Sequence, residues 1–102
     1  MVEVVWTDAA IADFKETLMH IRQNSQRYAV VLRDRVAEML GSLSQFPRMG
    51  RVLPEFPESV YREVFVLDFR IVYRPENSSR LFVVSMTHAR QNRETIQPRL
   101  VP

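Results

Sequence analysis

Val60-Tyr-Arg-Glu-Val-Phe-Val-Leu-Asp-Phe-Arg-Ile-Val-Tyr-Arg-Pro-Glu-Asn-Ser-Ser-Arg-Leu-Phe-Val-Val-Ser-Met-Thr87 decides the fold. It contains three runs rich in β-branched and aromatic residues, at 60–67, 69–73 and 81–87. Such side chains favour a pleated, half-buried backbone. Asp68 separates the first two runs, and Pro75-Glu-Asn-Ser-Ser79 separates the last two. These residues suit turns. Connections this short join antiparallel neighbours, so the three runs predict a meander. In the middle run Phe69, Ile71 and Tyr73 alternate with Arg70, Val72 and Arg74. Period-2 alternation gives each set its own face of the sheet.

Upstream, the spacing changes from two to about four. Val2 to Trp6 reads as a further strand, and Thr7-Asp8 supplies helix-start chemistry. Ile11, Phe14, Leu18 and Ile21 then recur at helical spacing over residues 8–23. After Asn24-Ser25, a second stripe holds Tyr28, Leu32, Val36, Met39, Leu40 and Leu43. So short a link predicts an antiparallel helical hairpin over 8–46. Pro47, Gly50, Pro54 and Pro57 punctuate the next segment, which reads as an ordered loop without regular structure. The expected fold is α+β: a small, mainly antiparallel sheet in the order β-α-α-β-β-β, four strands in all, with the hairpin on one face. Ile11, Phe14, Leu18, Leu32, Val36, Leu40 and Leu43 are expected to bury against Ile71 and Val83. A chain of 102 residues fits one domain over 1–102, with 91–102 as a polar C-terminal tail.

Composition excludes several classes. No apolar run approaches the about 20 residues that a membrane span needs. Met1-Val-Glu-Val-Val-Trp6 lacks the basic and apolar regions of a signal peptide. With zero cysteines, disulfides, iron–sulfur clusters and thiolate zinc sites are excluded. The expected setting is therefore the cytoplasm, with no membrane partner. His20 and His88 are the only histidines, and no ligand spacing surrounds them. No metal and no cofactor are expected. Gly41 and Gly50 are the only glycines, too few for a phosphate-cradling loop.

Arginine is the residue type left with chemistry to offer. Lys15 is the one lysine among fourteen basic residues. Residues 1–58 hold seven basic and eight acidic side chains, net −1; residues 59–102 hold seven and four, net +3. Guanidinium groups pair bidentately with phosphate or carboxylate. The C-terminal part is therefore expected to meet a polyanionic or acidic partner. Arg70, His88 and Arg90 are expected beside one open region of the sheet, the arginines able to contact phosphates or an acidic protein surface and His88 able to move protons. Arg48, Arg51, Arg62 and Arg74 are expected binding residues, with Arg51 and Arg62 near the rim. The register expected from the 75–79 turn pairs Tyr73 with Leu81 and Arg70 with Val84. It also sets the Asp68 carboxylate near His88 and Arg90. The alternative is a solvated sheet face with Arg70 anchored to a carboxylate.

The ordered set of Pro47-Arg-Met-Gly-Arg-Val-Leu-Pro54, Tyr61-Arg-Glu-Val64, Phe69-Arg-Ile-Val-Tyr-Arg74 and Leu81-Phe-Val-Val-Ser-Met-Thr-His-Ala-Arg90 resembles the RelE/ParE toxin superfamily. These are toxins of bacterial type II toxin–antitoxin systems, also called plasmid stabilisation proteins. The resemblance implies growth inhibition, neutralisation by a cognate antitoxin, and a toxin–antitoxin hetero-oligomer. It implies one of two targets. RelE-type members are ribosome-dependent endoribonucleases acting on mRNA, a reading in which Arg70, His88 and Arg90 would be the phosphate-stabilising and proton-moving groups; ParE-type members act on DNA gyrase. The RelE type carries an arginine late in the strand before the Arg70 segment and a tyrosine in the C-terminal tail. Here Phe65 or a neighbour stands at the first place, and no tyrosine follows Tyr73. Those departures and the modest net charge favour the ParE-like reading. A non-toxic protein-pairing domain is the third reading.

Overall fold

The structure, a computed structural model, describes residues 1–90. The tail expected over 91–102 lies outside the described residues. The elements are β1 (Glu3–Trp6), α1 (Asp8–Asn24), α2 (Gln26–Gln45), β2 (Arg51–Val52), β3 (Arg62–Val66), β4 (Phe69–Pro75) and β5 (Arg80–His88). They form one sheet in the order β1-β5-β4-β3-β2. The meander β3-β4-β5 is antiparallel, as is the β2–β3 pair. Strand β1 runs parallel to β5. The α+β class and the covering hairpin are as expected. The sheet has five strands instead of four, because Arg51 and Val52 pair with Glu63 and Arg62 inside the proline-rich loop. Two residues are too few to show an alternation in sequence.

Local chemistry sets the helix limits. Thr7 caps α1 by accepting from the Ala10 N–H at 3.2 Å, and Ser25 caps α2 by accepting from the Tyr28 N–H at 3.0 Å. The Ser25 N–H also closes α1 on the Ile21 carbonyl. One residue thus ends one helix and starts the next, which fixes the hairpin. Leu32, Val36 and Leu43 are buried, with Phe14, Leu18, Ile21 and Leu40 packed partly buried beside them. Ile11, expected inside, is 38% exposed, and Ala10 takes the inward position. Consecutive residues differ by about 100° around a helix, so Ala10 and Phe14 share a face that Ile11 leaves.

The hairpin packs on Val64, Val66, Phe69, Ile71, Tyr73, Leu81, Val83 and Met86. The opposite face of the sheet is also covered. Leu53 of the proline-rich segment and Tyr61, just before β3, bury against Val72 and Val84, with Phe56 and Phe82 alongside. The segment between β2 and β3 therefore folds back as a strap over a face expected to be partly open.

The hairpin register also departs from expectation. Pro75 pairs with Leu81, Tyr73 with Val83 and Arg70 with Thr87. The turn is tighter than assumed, and a bulge between Val72 and Tyr73 adds a further offset. Beyond the end of β1, the Asp13 carboxylate accepts the Met86 N–H at 3.0 Å. A helix side chain thereby satisfies a strand-edge donor that β1 is too short to reach.

Candidate functional site

Alternation along β3 and β4 brings four charged side chains together on the strap-covered face. Arg70 lies on β4, Glu63 on β3, Arg51 on β2 and Glu55 in the strap. Arg70 pairs with both Glu55 and Glu63, and Glu63 also pairs with Arg51. The Arg70 Nε–Glu63 Oε1 distance is 2.9 Å, although the two atoms are not aligned as a hydrogen bond. The side chains of Arg70, Glu55 and Glu63 are all at least nine-tenths buried, whereas that of Arg51 is exposed. Two cations and two carboxylates balance. Ions taken out of water persist only when compensated in this way. The arrangement tethers the strap to the sheet and occupies the Arg70 guanidinium. Although Arg70 Nη2 has no hydrogen-bond partner, the side chain is only 9% exposed and offers little surface to a phosphate.

The other arginines divide between the faces. Arg62 pairs across from Tyr73 and donates to the carbonyls of Arg48 and Gly50, at 3.2 and 2.7 Å. Its charge holds the loop that enters β2. On the same side, the buried Tyr73 hydroxyl accepts the Gly50 N–H at 2.9 Å. Burial pushes the Tyr73 phenol above its ordinary value, against the smaller opposing effects of the Gly50 hydrogen bond and the Arg62 charge. Arg74 stacks over Phe82 at 5.3 Å, and Arg51 lies over Phe65 at 5.7 Å. Arg48 is exposed.

His88 and Arg90 are exposed where β5 ends. His88 pairs with Phe69 and meets its ring edge-on at 5.6 Å. The Arg90 N–H donates to His88 Nδ1 at 3.2 Å, which assigns the ring proton of neutral His88 to Nε2. The expected link to the Asp68 carboxylate is replaced by a backbone one: the Asp68 carbonyl accepts the Ala89 N–H at 2.9 Å.

Of the residues singled out from sequence, Arg51 and Arg70 meet through Glu63, and His88 and Arg90 meet at the end of β5. The two groups do not share the single open region expected, because Arg70 is buried and Phe69, opposite His88, belongs to the hairpin-facing core. Arg62 faces away from Arg70 for the same reason of alternation. Glu55 and Glu63 were missed. Glu63 had a signal: by alternation it shares a strand face with apolar Tyr61 and Phe65, where a carboxylate needs a partner. Among the described residues, no group of three or more His, Cys, Asp or Glu side chains could hold a metal ion. No helix among them is long and apolar enough to cross a membrane.

The sequence matches, over residues 4–93, the family model described as the ParE toxin of the type II toxin–antitoxin system parDE. The chain belongs to the ParE toxin family. A cognate antitoxin is the partner that membership in a toxin–antitoxin system implies. The ParE fold also matches a solved chain titled "Chromosomal ParDE TA system from P. aeruginosa", with a TM-score of 0.66 and 17% identity. That match covers 86% of this chain and 96% of the other. At such low identity it shows a shared fold. No curated protein matches the sequence.

Proposed function

We propose that this ParE-family chain inhibits bacterial growth by binding DNA gyrase, carries out no chemistry of its own, and is released from that role by its antitoxin. The observation that carries the reading is the burial of Arg70 between Glu55 and Glu63. Stabilising a scissile phosphate requires a donor aimed at the developing charge. The best-placed sheet arginine is instead neutralised beneath the strap. The absence of a tail tyrosine in the sequence supports the same reading.

The ribonuclease reading retains one observation in its favour. His88 is exposed beside Arg90, and Nε2 is the nitrogen left for proton transfer. Purified protein added to a gyrase supercoiling reaction and to a cell-free translation reaction separates the two. Gyrase inhibition with intact mRNA supports the proposal. Cleaved mRNA with unaffected gyrase supports the ribonuclease. Normal growth during expression of soluble protein would leave only a protein-pairing domain.

A further inference from the structure

Val66 pairs with Phe69, so Leu67 and Asp68 form a two-residue turn between β3 and β4. Leu67 has a φ of 52°, the one positive φ at a non-glycine residue among the described residues. When φ is positive at the first central position of such a turn, glycine is the ordinary occupant, because a Cβ there crowds the backbone. Asparagine and aspartate tolerate that conformation, whereas a bulky apolar side chain adopts it at a cost. Burial recovers only part of the cost, since Leu67 is 40% exposed. An exposed leucine alone is ordinary. An exposed leucine held in a strained conformation is not, and strain of this kind collects at binding and active surfaces.

The surroundings of the turn indicate what Leu67 meets. Phe65 is 45% exposed and borders the same depression as Leu67 and Met39, so apolar surface is continuous around the turn. Arg51 lies over the Phe65 ring, and the glutamate that pairs with it, Glu63, is shared with Arg70. On the other side, the Asp68 carbonyl accepts the Ala89 N–H, and His88 pairs with Phe69. These links hold exposed His88 and Arg90 beside the turn. Asp68 is the exposed acid there, and Glu38 in the depression is offset by Arg35 one helical turn away. Arg51 and Arg90 therefore leave the rim of the turn positive. We propose that Leu67 anchors the contact with the protein that this toxin inhibits, seating in an apolar pocket of that protein whose rim is acidic. A projecting apolar side chain suits a concave partner, and the rim charges supply orientation and fast encounter. A second copy on a two-fold axis at the turn would set Arg51 and Arg90 against themselves. The inference rests on the reading of the chain as a binding-type toxin, and adds which residue carries the contact and the chemistry of the surface it takes.

The test compares the full chain with Leu67→Gly, Leu67→Asn and Leu67→Met. Glycine removes the strain together with the side chain, asparagine tolerates the backbone but is polar, and methionine keeps an apolar side chain. Each protein is melted thermally, titrated with purified cognate antitoxin, added to purified gyrase and expressed in bacteria. The glycine and asparagine variants are expected to melt at the same temperature or higher, and to bind the antitoxin unchanged. They should need about tenfold more protein for half-inhibition of supercoiling. The methionine variant should retain inhibition. Unchanged inhibition by the glycine and asparagine variants overturns the proposal. A lower melting temperature with inhibition lost in proportion overturns it by assigning Leu67 to the fold. Loss of antitoxin binding with inhibition intact overturns it by assigning the turn to the antitoxin. If the unmodified chain arrests growth while supercoiling is undiminished, the gyrase reading fails and the proposal is judged by growth. Arrest relieved by Leu67→Gly and kept by Leu67→Met then supports it, and arrest by all three variants overturns it. An unmodified chain that neither inhibits gyrase nor arrests growth overturns both.

Discussion

The Arg70 Nε lies 2.9 Å from Glu63 Oε1, with the two side chains 9% and 1% exposed. A guanidinium so enclosed holds structure together at the cost of availability to a ligand. Glu55 on its other side brings the strap into the same arrangement. Replacing Arg70 with Met keeps much of the volume and leaves two buried carboxylates without their shared cation. Urea denaturation should show a loss of about 3–5 kcal/mol. A loss below about 1 kcal/mol would mean that water already screens the cluster.

Gly50 is required by space. A Cβ there would lie 2.6 Å from the Glu63 carbonyl oxygen and 2.7 Å from the Tyr73 hydroxyl. The first neighbour is backbone of a paired strand and cannot move aside alone. Gly50→Ala should lower stability by about 1–3 kcal/mol in thermal melts. Gly41, with nothing within 4 Å of a built Cβ, lies inside α2. Gly41→Ala should raise stability by up to about 1 kcal/mol. Similar responses at the two sites would contradict the packing described.

Tyr73 supplies a pH dependence. Its pKa is raised above 10.0, with burial the largest cause. The folded state therefore retains the phenolic proton at pH values where the unfolded chain releases it. Stability tied to Tyr73 is fully present below the unfolded pKa and falls as pH rises from there through the folded value. Tyr73→Phe should flatten the alkaline limb of the stability–pH curve and lower stability at neutral pH, where the Gly50 N–H loses its acceptor. An unchanged alkaline limb would show that other groups control that region.

The exposed pair at the end of β5 tests where the active surface lies. His88→Ala and Arg90→Ala are each expected to relieve growth arrest while antitoxin binding persists. Exposed substitutions of this kind should change stability by no more than about 0.5 kcal/mol. Full toxicity in both variants would move the active surface elsewhere.

The order of elements was legible because each segment carried its own period: about four through Phe14, Leu18, Ile21, Leu32 and Val36, and two through Phe69, Ile71 and Tyr73. Alternation placed Arg70 and Arg74 together correctly. It could not reveal that Leu53 and Phe56 would fold back over Val72 and Val84, because strap residues in a proline-rich loop have no period to read. That covering turned an expected open arginine into a buried one. Parity within a single strand also says nothing of its phase against the next strand. Arg62 consequently faces the side opposite to Arg70, and the bulge at Val72 and Tyr73 shifts the register. Ile11 shows the same limit in a helix, where Ala10 fills the inward position.

The buried Arg70 cluster supports the proposed role of the chain as a binding-type toxin directed at gyrase. Its most direct measurement is DNA supercoiling by purified gyrase in the presence of the purified chain, with mRNA integrity followed in a parallel cell-free translation reaction. Concentration-dependent loss of supercoiling is expected, reversed by the cognate antitoxin, with mRNA intact. Undiminished supercoiling together with ribosome-dependent mRNA cleavage would contradict it.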